Sequence, residues 1–339
     1  MSLDKFFYFF SVVLAVLFIM FAVNIHAFTM PEADFSQKNV SVFPSVYFTD
    51  TINYLKRIEA SRPYWVSTLE ELEFLNRNSE EPVSMLLNGD ILAFYGHPGS
   101  RYMGILGRYP IEELDKMLTE LAVEYAELNG DRNVHKAFYI IYGTVWPKGE
   151  IGVIDHNLLR RYIEYGLEND ILVFVDHQIG RYDPIDSLKR ILPWLRYPNV
   201  HLALDPEWRT TKPMVEIGNI TGEEINIAQQ VMEEYMIEHN IPGERLLVIH
   251  QFNSIMIKDR ASVKTNFSKV RLVHCADGFG SPELKRLSYA YNAQASNIPI
   301  KGFKLFYNFG IPGAGYDKPI MTPKQVFALT PRPYLIMYQ

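Results

Sequence analysis

The sequence has only one cysteine, Cys275, in 339 residues, so no disulfide can form within the chain. Cys275 follows an apolar run, which is typical of a small buried residue rather than of a nucleophile. The chain also lacks a basic patch. Its formal net charge is −6 at pH 7, and its basic residues are scattered along helices. We therefore expect no nucleic-acid partner.

Several catalytic signatures are missing as well. No Gly-x-Ser-x-Gly occurs, which argues against a serine hydrolase of the nucleophile-elbow type. No His-x-His or His-Glu-x-x-His occurs, so the sequence does not support the usual zinc hydrolases. The glycine-rich loop Gly96–Gly107 lacks the spacing of a P-loop or dinucleotide-binding loop. We predict no cofactor, with a divalent metal kept as the alternative.

Near the N-terminus, an uncharged apolar run from Phe6 to Val23 is roughly long enough to cross a bilayer. We interpret residues 1–27 as a signal anchor or as a signal peptide cleaved near Ala27. The length of the run and the weak positive charge before it favour the anchor. We therefore expect a membrane-anchored protein with an extracytoplasmic domain, or a secreted protein if the segment is cleaved.

Residues 28–80 are predicted to be a linker followed by a short helical prelude, and residues 81–339 to be the main domain. Residues 50–78 form the prelude, in which Ser67-Thr68-Leu69-Glu70-Glu71 fits a capping box.

Short apolar runs alternate with helical stretches along the main domain at spacings of roughly 40 residues. Continuous apolar strands alternating with helices indicate a parallel sheet covered on both faces, and eight such units predict a closed (β/α)8, TIM-type barrel. In that fold the carboxyl ends of the strands carry the chemistry. The runs are Ile91–Tyr95, Ala137–Tyr142, Ile171–Val175, Val200–Leu204, Leu246–Ile249, Val270–Val273, Phe303–Phe306 and a weaker Tyr334–Tyr338.

Two helices have clear boundaries. An apolar face predicts the first barrel helix over Pro110–Leu128, with the proline in its first turn. The second predicted helix, Gly222–His239, has the capping pattern Thr221-x-x-Glu224 and a stop at Asn240-Ile-Pro-Gly. The loops Gly96–Gly107 and Gly310–Gly315 are expected at the same mouth of the barrel.

Asp205-Pro206-Glu207 follows the fourth run and is the sharpest local signal. Residues two apart on a strand face the same way, and Pro206 marks the end of the strand, so both carboxylates are predicted to point into the mouth. Two acids in one enclosed site repel, which suits a general acid beside an ionised stabiliser. The rival interpretation is a helix-capping Asp205 and a Glu207 paired with Arg209.

Asp176 follows the third run without a break, so it should be buried and in need of a partner. Either it belongs to the catalytic set, or it forms a structural ion pair with His177 or Arg181.

Other reactive or aromatic residues follow the strand ends and are the candidates for substrate binding. If the barrel instead holds a divalent metal, the predicted ligands are His97, Asp176, His250 and Asp277. Lys304 lies within the seventh run, where an aldolase lysine could sit, although the outward face of the barrel is equally available to it. The predicted substrate-binding residues are His97, Tyr95, His177, Trp208, His250, Gln251, Asp277, Tyr307 and Asn308.

The Asp-x-Glu at residues 205–207, in an exported (β/α)8 chain, resembles the motif of glycoside hydrolases of the chitinase-like and muramidase-like types. The resemblance implies that Glu207 protonates the glycosidic oxygen and that Asp205 and Asp176 support it. The chain departs from those families at Val200 and Ala203, where chitinase-like enzymes have aspartates, and at His97, where such muramidases have one.

Three functions follow as hypotheses. The first is an extracytoplasmic hydrolase of a glycan or cell-envelope saccharide, with Glu207, Asp205 and Asp176 as catalytic residues. The second is a metal-dependent hydrolase of a phosphoester-type substrate. The third is a non-catalytic barrel that binds an envelope ligand through its aromatic residues.

Overall fold

The computed structural model describes Leu86, residues 89–130 and residues 132–339. Eight parallel strands form a closed ring, in which β1 pairs with both β2 and β11. The order around the ring is β1, β11, β10, β9, β7, β5, β4, β2. These strands are β1 (Gly89–Gly96), β2 (Asn133–Val145), β4 (Ile171–Gln178), β5 (Val200–Asp205), β7 (Arg245–His250), β9 (Val270–Ala276), β10 (Ile300–Leu305) and β11 (Leu335–Tyr338).

The closed ring confirms the predicted (β/α)8, TIM-type barrel. Each of the eight apolar runs overlaps one barrel strand, although β10 begins three residues before the predicted run and ends one residue before its end. The barrel spans Gly89 to Tyr338, within the predicted main domain. The predicted segments 1–27 and 28–80 lie outside the described residues.

Helices cover the outside of the ring. Pro110 is the N-cap of the first helix and does not lie in its first turn. The predicted capping box of α4 is present between Thr221 and Glu224, and α4 ends one residue earlier than predicted. Among the described residues, no helix is both long enough and apolar enough to cross a membrane. The helices are α1 (Ile111–Leu128), α2 (His156–Glu168), α3 (Pro184–Ile191), α4 (Gly222–Glu238), α5 (Pro282–Ala293) and α6 (Pro323–Phe327).

The buried side chains of the strands form two layers, because alternate residues along a strand face opposite sides of the sheet. One layer packs between the strands and the helices, and includes Phe138, Val173 and Leu202. The other fills the barrel interior, and includes Tyr139, Phe174, Ala203, Val248 and Cys275. This alternation decides which strand-end residues can meet at the centre of the mouth.

Two small additions decorate the barrel. Strand β3 (Ile151–Val153) turns back antiparallel along the end of β2. Strands β6 (Ile220–Thr221) and β8 (Ile257–Lys258) form a separate parallel pair. The sequence analysis predicted neither, since both are too short to show a hydrophobic period.

Candidate active site

Four acidic residues lie at the carboxyl ends of neighbouring barrel strands. Asp176 lies two residues before the end of β4, Asp205 ends β5, Glu207 follows β5, and Asp277 comes directly after β9. Carboxylate oxygens of Asp205, Glu207 and Asp277 all lie within 4.8 Å of one another. We call Asp176, Asp205, Glu207 and Asp277 the acid cluster.

Glu207 reaches the cluster by a different route from the predicted one. Strand β5 stops at Asp205, and Pro206 begins a 3-10 turn, Pro206–Trp208, that carries Glu207. Asp205 caps this turn, because its Oδ1 accepts a hydrogen bond from the backbone N–H of Glu207 at 3.2 Å. The rival interpretation was correct that Asp205 acts as a cap. Its predicted ion pair between Glu207 and Arg209 is absent, because Arg209 binds Glu224 at 2.8 Å.

Asp176 is fully buried and has partners inside the barrel. Tyr95 donates its hydroxyl to Asp176 Oδ2 at 3.0 Å, and His250 Nε2 lies 3.9 Å from the same oxygen. The rival ion pairs are absent: Arg181 pairs with Glu150, and His177 Nδ1 contacts the carbonyl of Gln178. Asp176 is thus part of the cluster in the mouth.

His250 lies beneath the acids and joins two of them. Its Nδ1 is 3.2 Å from Asp277 Oδ2, and its Nε2 is 2.8 Å from the hydroxyl of Tyr139. Burial opposes a charge on His250, but contacts with Asp277 and Cys275 and the field of Asp176 and Asp205 outweigh it. The pKa of His250 consequently lies well above its ordinary value.

Lys304 of β10 also points inward. Its Nζ lies 3.5 Å from the centre of the Tyr95 ring, a cation–π contact, and the side chain is buried. The charge of Lys304 favours ionisation of Asp176, Asp205 and Glu207. From the sequence, Lys304 was predicted to be either an aldolase lysine or an outward-facing residue, and no local pattern indicated a role for Tyr139.

The acids themselves are costly to ionise. Burial, with a further contribution from Asp176 and Asp277 and against the opposing field of His250, raises the pKa of Asp205 to about 7. Burial and the charges of Asp205 and Asp277 raise the pKa of Glu207 to about 8. Burial also raises the pKa of Asp176. At neutral pH the cluster therefore retains protons that carboxyl groups in water would lose.

The same acids could bind a divalent cation, since carboxylate oxygens are the ligands that hard cations prefer. Within the described part of the chain, the only group of three or more His, Cys, Asp or Glu residues with ligand atoms this close is Asp205, Glu207 and Asp277. This group shares only Asp277 with the predicted ligand set. In particular, His97 Nδ1 accepts a hydrogen bond from the N–H of Gly99 in its own loop, at 3.0 Å.

Two carboxylate oxygens in the cluster, Asp176 Oδ1 and Asp277 Oδ1, are buried and lack a hydrogen-bond partner in the described part of the chain. Buried polar atoms in native proteins are usually satisfied, if necessary by water or an ion. These two oxygens therefore indicate that the mouth accommodates further polar atoms.

Some predicted binding residues lie elsewhere. His177 contacts Tyr142 on the outer side of the strands, because it neighbours the inward Asp176. Gln251 likewise follows the inward His250, and its Oε1 accepts a hydrogen bond from His274 outside the barrel at 2.8 Å. Trp208 is half-buried on the turn that carries Glu207. The structure therefore does not bring His177 and Gln251 together with the acid cluster.

Tyr307 and Asn308 belong to a second feature at this end of the barrel, a shallow cleft between the loops that follow β1 and β10. Gly104 from the first glycine-rich loop and Gly315 from the second both line it, so these loops lie at the same mouth, as predicted. We call this feature the aromatic cleft. Its lining residues are Tyr102, Gly104, Phe306, Tyr307, Asn308, Phe309, Ile311, Ala314, Gly315, Tyr316 and Gln339.

No protein-family profile and no curated protein matches the chain. Solved structures similar to it include oxaloacetate acetylhydrolase in complex with the product oxalate, at 12% identity over 79% of each chain and a TM-score of 0.42. Another is the ICChI chitinase from Ipomoea carnea, at 11% identity over 74% of this chain and 94% of that chain, with a TM-score of 0.42. A third is 2,3-dimethylmalate lyase, a PEP mutase/isocitrate lyase superfamily member, at 11% identity over 75% of this chain and 78% of that chain, with a TM-score of 0.39. Similarity at this level assigns the chain to none of these families, so the resemblance to chitinase-like hydrolases remains a hypothesis.

Proposed function

We propose that the protein is a hydrolase of a glycan or cell-envelope saccharide that acts through carboxyl groups. The observation that supports this most is the position of Glu207, which lies in the barrel mouth beside Asp205 and Asp277. Because its pKa is raised to about 8, Glu207 carries a proton at neutral pH. A protonated carboxylic acid next to further carboxylates is the arrangement that a general acid requires.

In the proposed reaction, Glu207 donates its proton to the glycosidic oxygen as the bond to the sugar breaks, and a water molecule then adds to the sugar carbon and returns a proton to Glu207. Asp205 positions Glu207 by accepting its backbone N–H. Asp176, held by Tyr95, supplies negative charge for the developing positive charge on the sugar.

A second candidate function is a metal-dependent hydrolase of a phosphoester-type substrate. The three converging carboxylates of Asp205, Glu207 and Asp277 favour it, because such a group can bind a divalent ion. The third hypothesis, a non-catalytic binding barrel, differs from both in that ligand affinity persists without turnover and is unaffected by Glu207→Gln.

The proposed location outside the cytoplasmic membrane, with attachment through the N-terminal segment, depends on the apolar run Phe6–Val23, which lies outside the described residues. Protease treatment of intact cells tests it: a surface-located barrel is digested, whereas a cytoplasmic one is protected.

The function is tested by measuring hydrolysis of a panel of glycans and phosphodiesters with and without EDTA. The parent protein is compared with Glu207→Gln and with the matched control Glu223→Gln, an exposed glutamate on α4. We expect EDTA-insensitive glycan cleavage that Glu207→Gln reduces at least about a hundredfold and that Glu223→Gln leaves unchanged. Cleavage of phosphodiesters that EDTA abolishes and that an added divalent metal restores would contradict the acid mechanism and favour the metal-dependent one, in which Glu207 would be a ligand.

A further inference from the structure

The aromatic cleft, the shallow feature between the loops after β1 and β10, has a lining that points to a specific class of ligand. Tyr102, on the loop after β1, is 56% exposed. Covering a tyrosine ring is favourable, because its apolar surface then leaves water. Asn308 and Gln339, which carry amide side chains, also line this space. We infer that this cleft is a binding subsite for the ring of a neutral sugar in an oligosaccharide.

The chemistry of the lining supports a neutral, hydroxylated ligand. None of the cleft's lining residues has a charged side chain. A sugar ring has an apolar C–H face that can stack on an aromatic ring, and hydroxyl groups at its edge that bond to amides. Sites for small molecules usually combine aromatic side chains with a few polar groups.

Phe306 connects the wall of the cleft to side chains inside the barrel mouth. Phe306 forms part of that wall, and the ring centre of Phe306 lies 5.1 Å from Lys304 Nζ inside the barrel mouth. Phe279, two residues after Asp277, packs edge-on against Phe306 with ring centres 5.9 Å apart. In our proposal, a chain of sugars bound in the cleft extends past Phe306 towards Glu207.

Side-chain contacts hold this wall in place before any ligand binds. Asp317 accepts hydrogen bonds from the backbone N–H of Gly280 and of Phe306, both at 3.0 Å. Gly315 lies flat against Phe279, and a Cβ at this position would be 2.2 Å from the ring. The cleft wall and the segment after Asp277 are thus fixed to each other, which reduces the ordering cost of binding.

The inference rests on the proposed function, because it adds a subsite to the same saccharide substrate. It implies that an oligosaccharide binds better than its monosaccharide unit, since only the longer ligand occupies the cleft and the acid cluster together. It also singles out Tyr102 as a residue for substrate affinity rather than for the chemical step.

The test uses the full-length protein on an array of neutral and acidic glycans, followed by titration calorimetry with each bound neutral oligosaccharide and its monosaccharide. The variants are Tyr102→Ala and the control Tyr109→Ala, another exposed tyrosine that lies outside the cleft. We expect Tyr102→Ala to weaken oligosaccharide binding roughly tenfold through the loss of stacking. We expect Tyr109→Ala to bind like the parent. In turnover assays, Tyr102→Ala should raise KM with little change in kcat.

Failure of the subsite and failure of the proposed function give different results. Neutral oligosaccharides that bind in a Tyr102-dependent way but are not cleaved would support the subsite and refute the hydrolase. Cleavage with an unchanged KM in Tyr102→Ala would refute the subsite and leave the hydrolase intact. Binding of acidic glycans alone, or of no glycan, would overturn the inference.

Discussion

Replacing Asp205 by asparagine should make the protein more stable at alkaline pH, because Asp205 is buried where ionisation is unfavourable. Its side chain is 2% exposed, and its pKa is raised from 3.8 to about 7. The folded state therefore holds a proton that the unfolded state loses as the pH rises above 4. Stability must fall between about pH 4 and pH 7, and remain lower above that range.

The magnitude follows from the pKa values. A change from 3.8 to about 7 corresponds to about 4 kcal/mol of unfolding free energy. The neighbouring acids share part of this cost, so we expect Asp205→Asn to gain about 2–4 kcal/mol relative to the parent between pH 4 and pH 8. The asparagine Oδ1 can still accept the backbone N–H of Glu207, which keeps the turn intact.

The assay is urea unfolding followed by tryptophan fluorescence at pH 4, 5, 6, 7 and 8, with hydrolysis measured on the same samples. Asp259→Asn serves as the control, since Asp259 is exposed and its left-handed backbone conformation tolerates asparagine. We expect the stability gain to grow with pH for Asp205→Asn only, together with a loss of activity. A difference between variant and parent that is the same at pH 4 and pH 8 would refute the reasoning.

Two further predictions concern stability alone. Lys285 is buried and lies 3.4 Å from Asp317, so Lys285→Met should cost about 3–5 kcal/mol because Asp317 loses its buried partner. The double variant Lys285→Met/Asp317→Asn should recover part of this in urea unfolding, since asparagine is neutral and its oxygen can still accept a backbone N–H; equal losses in both would contradict the ion-pair explanation. Thr221→Ala removes the hydroxyl that accepts the N–H of Glu224 at 3.1 Å, and it should lower the free energy of unfolding by about 1 kcal/mol in thermal unfolding. Thr221→Ser keeps a hydroxyl and should cost much less. Identical effects of the two variants would argue against capping.

The barrel could be predicted from the sequence because its strands are buried on both faces and are therefore read as continuous apolar runs. The same continuity hides the direction of each side chain. His250 points into the barrel and Gln251 points out, while on the next strand His274 points out and Cys275 points in. Nothing in an unbroken apolar run distinguishes these alternatives, so Lys304 and Tyr139 could not be placed.

The acid cluster was predictable to a larger extent. Asp176 and Asp205 follow apolar runs directly, and Asp277 follows one after three residues. Residues in those positions lie at the mouth of a parallel barrel. The position of Glu207 in the mouth was predicted from the alternation of side chains along a strand. In the structure, Glu207 approaches the other acids because a 3-10 turn begins at Pro206. The partners of Asp176 come from strands far apart in sequence, and no local pattern could identify them.

Strand β11 has a consequence for how the protein assembles. It pairs with β10 on one side and with β1 on the other, so it joins strands that are more than 200 residues apart along the chain. During synthesis, the strands from β1 to β10 can associate only as an open sheet whose two edges expose unpaired backbone groups. The acid cluster, which comes from β4, β5 and β9, can therefore form before the ring is sealed. Those edges stay open to pairing with other strands until β11 emerges from the ribosome.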